Sequence, residues 1–286
     1  MSAIREIVFN WLFNAAVQIG LFAILAAFLS PFIAKAKAKY QHCFYLGVLA
    51  LCLAAPVFNT LWQTRPSVVA KTPQHQPIQE LGHRDHPWWV WNGHSSAHEL
   101  ITLGPGARTT FLVIWQVFFL YQLTHFSRGV YRVRRLRREA LLISPSEIGM
   151  AGSIIELSRR VVVLESTAID DPVTVGVLHP AIILPSKVIP ELDEPDLTAI
   201  LAHEYGHICR KDSLIHLLCQ LIALPVAWHP GIHYLMAKIS QTRELACDDY
   251  AAVRLGKRVC PHALTTGLIV LASTSRQRNG VGYFRR

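Results

Sequence analysis

The sequence predicts a mainly α-helical membrane protein: three transmembrane helices, then an α+β domain that includes a re-entrant or hairpin segment. Three observations predict it. Long runs free of Asp, Glu, Lys and Arg fill the first half, and β-branched runs broken by Gly and Pro follow residue 150. A His-Glu-x-x-His motif at His203–His207 then precedes one more uncharged stretch, interrupted by proline.

Ile7–Ala34, Tyr40–Thr64 and Thr109–Ser127 lack those four charged residue types, and each is long enough to cross a bilayer core. The predicted spans are therefore about 7–34, 40–64 and 109–127, with a loop over 65–108. Residues 1–127 form the membrane-spanning region and 128–286 a membrane-associated domain facing the cytoplasm. A cleaved signal peptide does not fit the first run, whose apolar core is too long and whose lysines follow it. Asn10, Asn14 and Gln18 make one polar stripe along it, the pattern of hydrogen bonding between helices.

Positive charge sets the orientation. Lys35, Lys37 and Lys39 follow the first run, and Arg128, Arg132, Arg134, Arg135, Arg137 and Arg138 follow the third. Both clusters belong on the cytoplasmic side, which leaves the amino terminus and the 65–108 loop outside. The net charge of +9 is thereby accounted for. Juxtamembrane arginines meet anionic lipid headgroups, and no base-reading module accompanies them, so no direct nucleic-acid binding is expected. In the loop, "HPWWVW" suits a membrane interface. The irregular spacing of His75, His83, His86, His94 and His98 suits solvated chain better than a metal site.

The six cysteines form no C-x-x-C pair. On this topology Cys209, Cys219, Cys247 and Cys260 face cytoplasm or membrane and stay reduced.

"VVVLES" (Val161–Ser166) and "VTVGVLHPAIILP" (Val173–Pro185) read as two or three short strands. "DEPDLTAILAHEYGHIC" then opens a helix, with Asp193 or Glu194 as cap and Pro195 in its first position. Inside that helix His203 and His207 stand four apart and share a face, so both imidazoles can reach one ion. Glu204 sits beside them as a general base. A catalytic zinc needs a third protein ligand. "TRELACDDYAA" offers Glu244 and, one turn later, Asp248; Cys247, His216, His229 and His233 are rivals.

The zinc reading constrains the chain further. About 25 residues between Asp212 and Lys238 carry no formal charge, and a straight helix of that length extends about 37 Å. Ligands on both sides of it could not then meet. Pro225 and "WHPG" (Trp228–Gly231) supply the break that turns the chain back.

Three segments in order, "TVGVLHPAIILP", "LAHEYGHICRKD" and "RELACDD", resemble the membrane zinc metallopeptidases of the BlaR/MecR antirepressor family. The resemblance implies a gluzincin-like peptidase domain in the bacterial inner (cytoplasmic) membrane. It implies one zinc ion per chain on His203, His207 and Glu244, a catalytic Glu204, and Asp248 supporting a ligand. Such peptidases bind extended substrate along a strand edge, for which Thr174, Val175, Gly176 and Val177 are the candidates. The implied partner is a protein substrate, a transcriptional repressor or the chain itself, cleaved in signal transduction.

Family members that sense β-lactams carry a further span and an outer penicillin-binding domain. Here "HALTTGLIVLAS" is too short to span, and no outer S-x-x-K motif is present. The expectation is a chain lacking that sensor and controlled by a separate sensor protein or by self-association. A reading from another class, a non-catalytic signalling scaffold with a structural zinc site, has no need of Glu204. Spans without charged residues argue against a transporter.

Overall fold

The structure, a computed structural model, describes residues 2–63, 105–143 and 161–255. The loop tryptophans and histidines, Cys260 and the short apolar stretch 262–273 lie outside the described residues.

Helices α1 (Ser2–Ile33) and α2 (Ala38–Gln63) form an antiparallel pair. The link between them is tight because Gln41 Nε2 donates to the carbonyls of Ala34 and Ala36, at 3.2 and 2.7 Å, satisfying groups that a helix end leaves open. Tyr45 on α2 donates to Ser30 Oγ on α1 at 3.0 Å. Within them, Ile7–Ile33 and Ala38–Trp62 are each long and apolar enough to cross a membrane. Helix α3 (Pro105–Glu139) joins the third apolar run and the arginine cluster in one rod. Its start lies beside the start of α1, with Phe111 edge-on to Phe9 at 5.6 Å between ring centroids. By length and composition two helices, rather than the expected three, qualify as spans among the described residues. The hydrogen bonds expected of the polar stripe are missing at Gln18, whose Oε1 is buried without a partner.

A four-stranded sheet follows: β1 (Leu141–Leu142), β2 (Val162–Ser166), β3 (Val173–Val175) and β4 (Ala181–Pro185), ordered β1-β2-β4-β3. The predicted runs supply three of its strands. Central β4 pairs in parallel with β2 and antiparallel with β3, and all five of its residues are buried. Its alternation feeds two cores. Ile182 and Leu184 pack with Leu197 and Leu201 on one face, while Ala181 and Ile183 pack with Leu136 and Ala140 from the end of α3 on the other. The sheet is thus held between α3 and the motif helix, with β3 at its edge.

The motif helix, α4 (Glu194–Cys209), begins after Asp193, but Asp193 makes no side-chain cap and Pro195 is the second helical residue. Lys211, at φ 57°, is the one described non-glycine residue with left-handed backbone; it turns the chain sharply into α5 (Asp212–Ala223). A 3-10 turn over Leu224–Val226 and the helix start at Pro230 interrupt the uncharged stretch where its prolines predict. Helix α6 (Pro230–Leu255) then runs back, and Cys247 returns to within 3.3 Å of Asp212. The hairpin tip lies against mid-α1 and α3. Trp115 Nε1 donates to the Pro225 carbonyl at 2.9 Å, and a Cβ on Gly231 would stand 2.8 Å from that of Ala23. Ile19, Leu49, Val226, Ile232 and Leu235 knit α1, α2 and the hairpin into one core. Midway along α6, buried His42 on α2 pairs its Nδ1 with Thr242 Oγ1 at 3.2 Å.

Candidate metal centre

Helix α4 presents His203 and His207 one turn apart, their ring centroids 5.0 Å from each other and the rings at 78°. Helix α6 lies along α4 closely because Gly206 has no side chain: a Cβ there would meet the Tyr250 ring at 3.1 Å. That approach brings Glu244 in. Its Oε2 stands 3.5 Å from Nε2 of both imidazoles, while Arg243 holds its other oxygen at 2.7 and 3.0 Å.

These separations set candidate metal ligands apart from hydrogen-bond partners. Donors about 2.1 Å from a tetrahedral ion stand about 3.4 Å apart. The Nε2 and Oε2 atoms fit that spacing, which is long for a charge-assisted hydrogen bond. Both Nδ1 atoms, by contrast, stand 2.9 Å from carboxylates: His207 is hydrogen-bonded to Asp212 Oδ2, while His203 pairs with Asp248 Oδ1 by proximity of charge, without hydrogen-bond alignment. The carboxylate on Nδ1 of His207 fixes its tautomer and leaves Nε2 for an ion, the arrangement typical of ligating histidines. The donor set fits zinc.

Asp212 was not foreseen. It is 2% exposed, and its Oδ2 also accepts from Arg210 Nε at 3.2 Å and Cys247 Sγ at 3.3 Å. Its place at the end of the motif segment, beyond a chain reversal, was the available signal. Burial alone would raise its pKa, but His207 and Arg210 hold the carboxyl below its ordinary range. Burial pushes the Cys247 thiol up despite His207, so it remains a protonated donor. His207, Asp212 and Cys247 are close enough together to suggest a second ion site. Their 2.9–3.3 Å spacings instead describe a hydrogen-bonded support for His207.

Burial draws the imidazole pKa values down, yet the acidic partners win. Asp248 and Glu244 lift His203 to about 9, and Asp212, Cys247 and Glu244 lift His207 to about 12. Burial works against the Glu244 anion too, but both histidines and Arg243 hold its pKa far below the carboxylate range. A cluster this strongly arranged for positive charge, centred on a carboxylate, is an electrostatic cradle for a cation.

Glu204 is 7% exposed and brings a carboxylate oxygen within 4.8 Å of ligand atoms on both histidines. Its Oε2 accepts from Thr174 Oγ1 at 2.6 Å. The rival ligands are elsewhere. His216 pairs with Gln220, His229 receives the Gly231 amide, His233 joins no described donor group, and Cys247 faces Nδ1 of His207 rather than Nε2. Of the candidate substrate residues, Thr174 points to the site and Val175 into the core at 4% exposure. Gly176 closes the strand at φ 93°, and Val177 is exposed.

A family model described as BlaR1 peptidase M56 matches residues 11–279. The chain belongs to that family. Two relatives to which the chain is similar are both described as regulatory protein BlaR1. The one from Bacillus licheniformis is 31% identical over 121 residues, 42% of this chain and 20% of that protein. The one from Staphylococcus aureus is 21% identical over 148 residues, 51% of this chain and 25% of that protein. The chain thus spans a quarter or less of the relatives it matches. The family match extends from α1 through the metal centre, joining the apolar helices and the donor cluster in one peptidase family.

Proposed function

We propose that this M56 chain is an integral-membrane zinc metalloendopeptidase. Its substrate is a cytoplasmic or membrane-proximal protein cleaved during signalling, for which a transcriptional repressor and the chain itself are the leading candidates. The observation that carries the reading is the convergence of His203, His207 and Glu244 at ligand spacing, with the buried Glu204 carboxylate beside them.

His203, His207 and Glu244 would hold one zinc ion per chain, which would supply a Lewis acid to acidify water and polarise a carbonyl. The remaining work belongs to the chain. Glu204 Oε1, opposite the oxygen engaged by Thr174, takes the proton of the attacking water and passes it to the leaving amine. Asp248 and Asp212 hold the imidazoles, and Arg243 holds Glu244. Among the described residues β3 is an edge strand in contact with the motif helix, and an extended peptide added to that edge would lie beside this group. Gly176 and Val177 border that path.

For the membrane, the reading keeps three spans. Val113, Ile114, Val117, Leu120 and Tyr121 on α3 are exposed, as are Leu21, Ile24 and Phe28 on α1 and Phe58 and Leu61 on α2. A band of large apolar side chains on all three helices is favourable in lipid and costly in water. The α5–α6 hairpin re-enters it to about half its depth, since α5 rises about 18 Å against a core of about 30 Å. The lysine link lies at the zinc end of the bundle, so the site faces the cytoplasm and the amino terminus lies outside.

Glu204→Ala tests the reading against a scaffold with structural zinc. The expected result is retained zinc, measured by metal analysis of the purified chain, with loss of every cytoplasmic cleavage product that wild type generates. Identical product patterns from the two proteins would exclude catalysis.

A further inference from the structure

We propose that Thr174 is a positioning residue for Glu204, so that the strand at the sheet edge also orients the base. This rests on the peptidase reading above. Thr174 Oγ1 has two acceptors within reach, Glu204 Oε2 at 2.6 Å and the Glu204 carbonyl at 3.1 Å. A hydroxyl has one proton to give, and the shorter, charged contact takes it. The hydroxyl is then committed to the carboxylate and is not free to bind substrate, which revises its expected role.

The placement is rigid. Thr174 stands opposite Ile182 in the β3–β4 ladder, and Ile182 is fully buried. Val175, the next residue, is anchored on the other face of the sheet with Ala181 and Ile183. Gly176 ends the strand with left-handed backbone that L side chains rarely adopt. A glutamate side chain loses much rotamer freedom when fixed. The hydrogen bond from a strand held this firmly offsets that cost and leaves Oε1 as the oxygen that Thr174 does not engage. Because the same strand offers its edge to substrate, any shift of β3 on docking moves the base with it.

The test uses the full chain in lipid nanodiscs, loaded with cobalt for its visible absorption and titrated with acetohydroxamic acid. This small metal-chelating ligand needs a neighbouring carboxylate to accept its hydroxyl proton. Thr174→Val keeps the shape and removes the donor; Thr174→Ser keeps the donor. Loss of a hydrogen bond to a charged group weakens hydroxamate binding on the order of tenfold or more in Thr174→Val. Thr174→Ser binds as wild type does, and metal affinity by chelator competition is unchanged in both. On a peptide that wild type cleaves, kcat falls in Thr174→Val while KM holds.

Wild-type hydroxamate affinity in Thr174→Val, with Glu204→Gln weakened, would overturn the proposal and leave the base assignment standing. Equal affinity in wild type, Thr174→Val and Glu204→Gln would overturn the role of Glu204 itself and the proposal with it. Metal affinity lost in both Thr174 variants would mark a structural role only and overturn the positioning.

Discussion

Asp212 shows what one residue contributes to the metal centre. Its single oxygen Oδ2 meets His207, Arg210 and Cys247, and its other oxygen is buried without a partner. Supports of this kind change metal affinity by about 10- to 100-fold when removed. Asp212→Asn, which keeps the shape, is expected to weaken zinc binding by that amount in chelator competition, while Glu204→Ala leaves affinity near wild type. The imidazoles give a second prediction at this scale. Without metal, His203 titrates near 9 and His207 near 12, both above the ordinary 6.5. Between pH 6.5 and about 9 the unfolded chain has released these protons and the folded chain still holds them. The metal-free fold is therefore most stabilised by the pairs below pH 6.5 and loses stability as pH rises through 9 and beyond. Zinc requires neutral imidazoles, so its binding expels these protons and its affinity rises with pH over the same interval. Opposite slopes for apo stability (denaturant melts) and zinc affinity across pH 6.5–9 are the expected outcome; parallel slopes would contradict the assigned pairs.

At the scale of elements, the site depends on how closely α6 approaches α4. Gly206 sets that distance, because a methyl group there would meet the Tyr250 ring at 3.1 Å, with Cys247 Cβ at 3.7 Å behind it. Gly206→Leu is expected to push α6 outward and abolish stoichiometric zinc while leaving helix content by circular dichroism intact. Gly206→Ala combined with Tyr250→Ala should retain zinc, because the obstructing ring is gone. The same elements show what sequence can and cannot convey. The His203–His207 spacing, the strand runs and the Pro225 and Trp228–Gly231 break depend on neighbours in the chain, and all were legible. The Asp212 and Thr174 contacts were not. Asp212 reaches His207 because Lys211 adopts left-handed backbone, an unusual choice for lysine that its sequence does not announce. Thr174 reaches Glu204 through the β3–β4 pairing and the packing of α4 on the sheet, contacts that no local pattern encodes. The Asp193 cap failed for the converse reason: a residue type suited to a local role leaves it unfilled.

Across the whole molecule, the metal centre is joined to the apolar helices by packing as well as by chain. His42 near the start of α2 pairs with Thr242, two residues from Glu244, and the hairpin tip is wedged between α1 and α3. A chain that entered α5 and crossed straight to the far side of a bilayer could not bring Cys247 back to Asp212. The arrangement therefore makes a topological prediction. With exposed Cys43 and Cys209 changed to Ser, single cysteines at Lys211 and Gln241 should both react with an impermeant thiol reagent only when the cytoplasmic face is opened. A cysteine at Gly106, at the start of α3, should react in intact cells. Should Gln241 and Gly106 label from one side and Lys211 from the other, α5 and α6 would have to span as one segment. The two halves of the proposed zinc site would then lie on opposite faces, and neither Glu244 nor Asp248 could serve the histidines of α4.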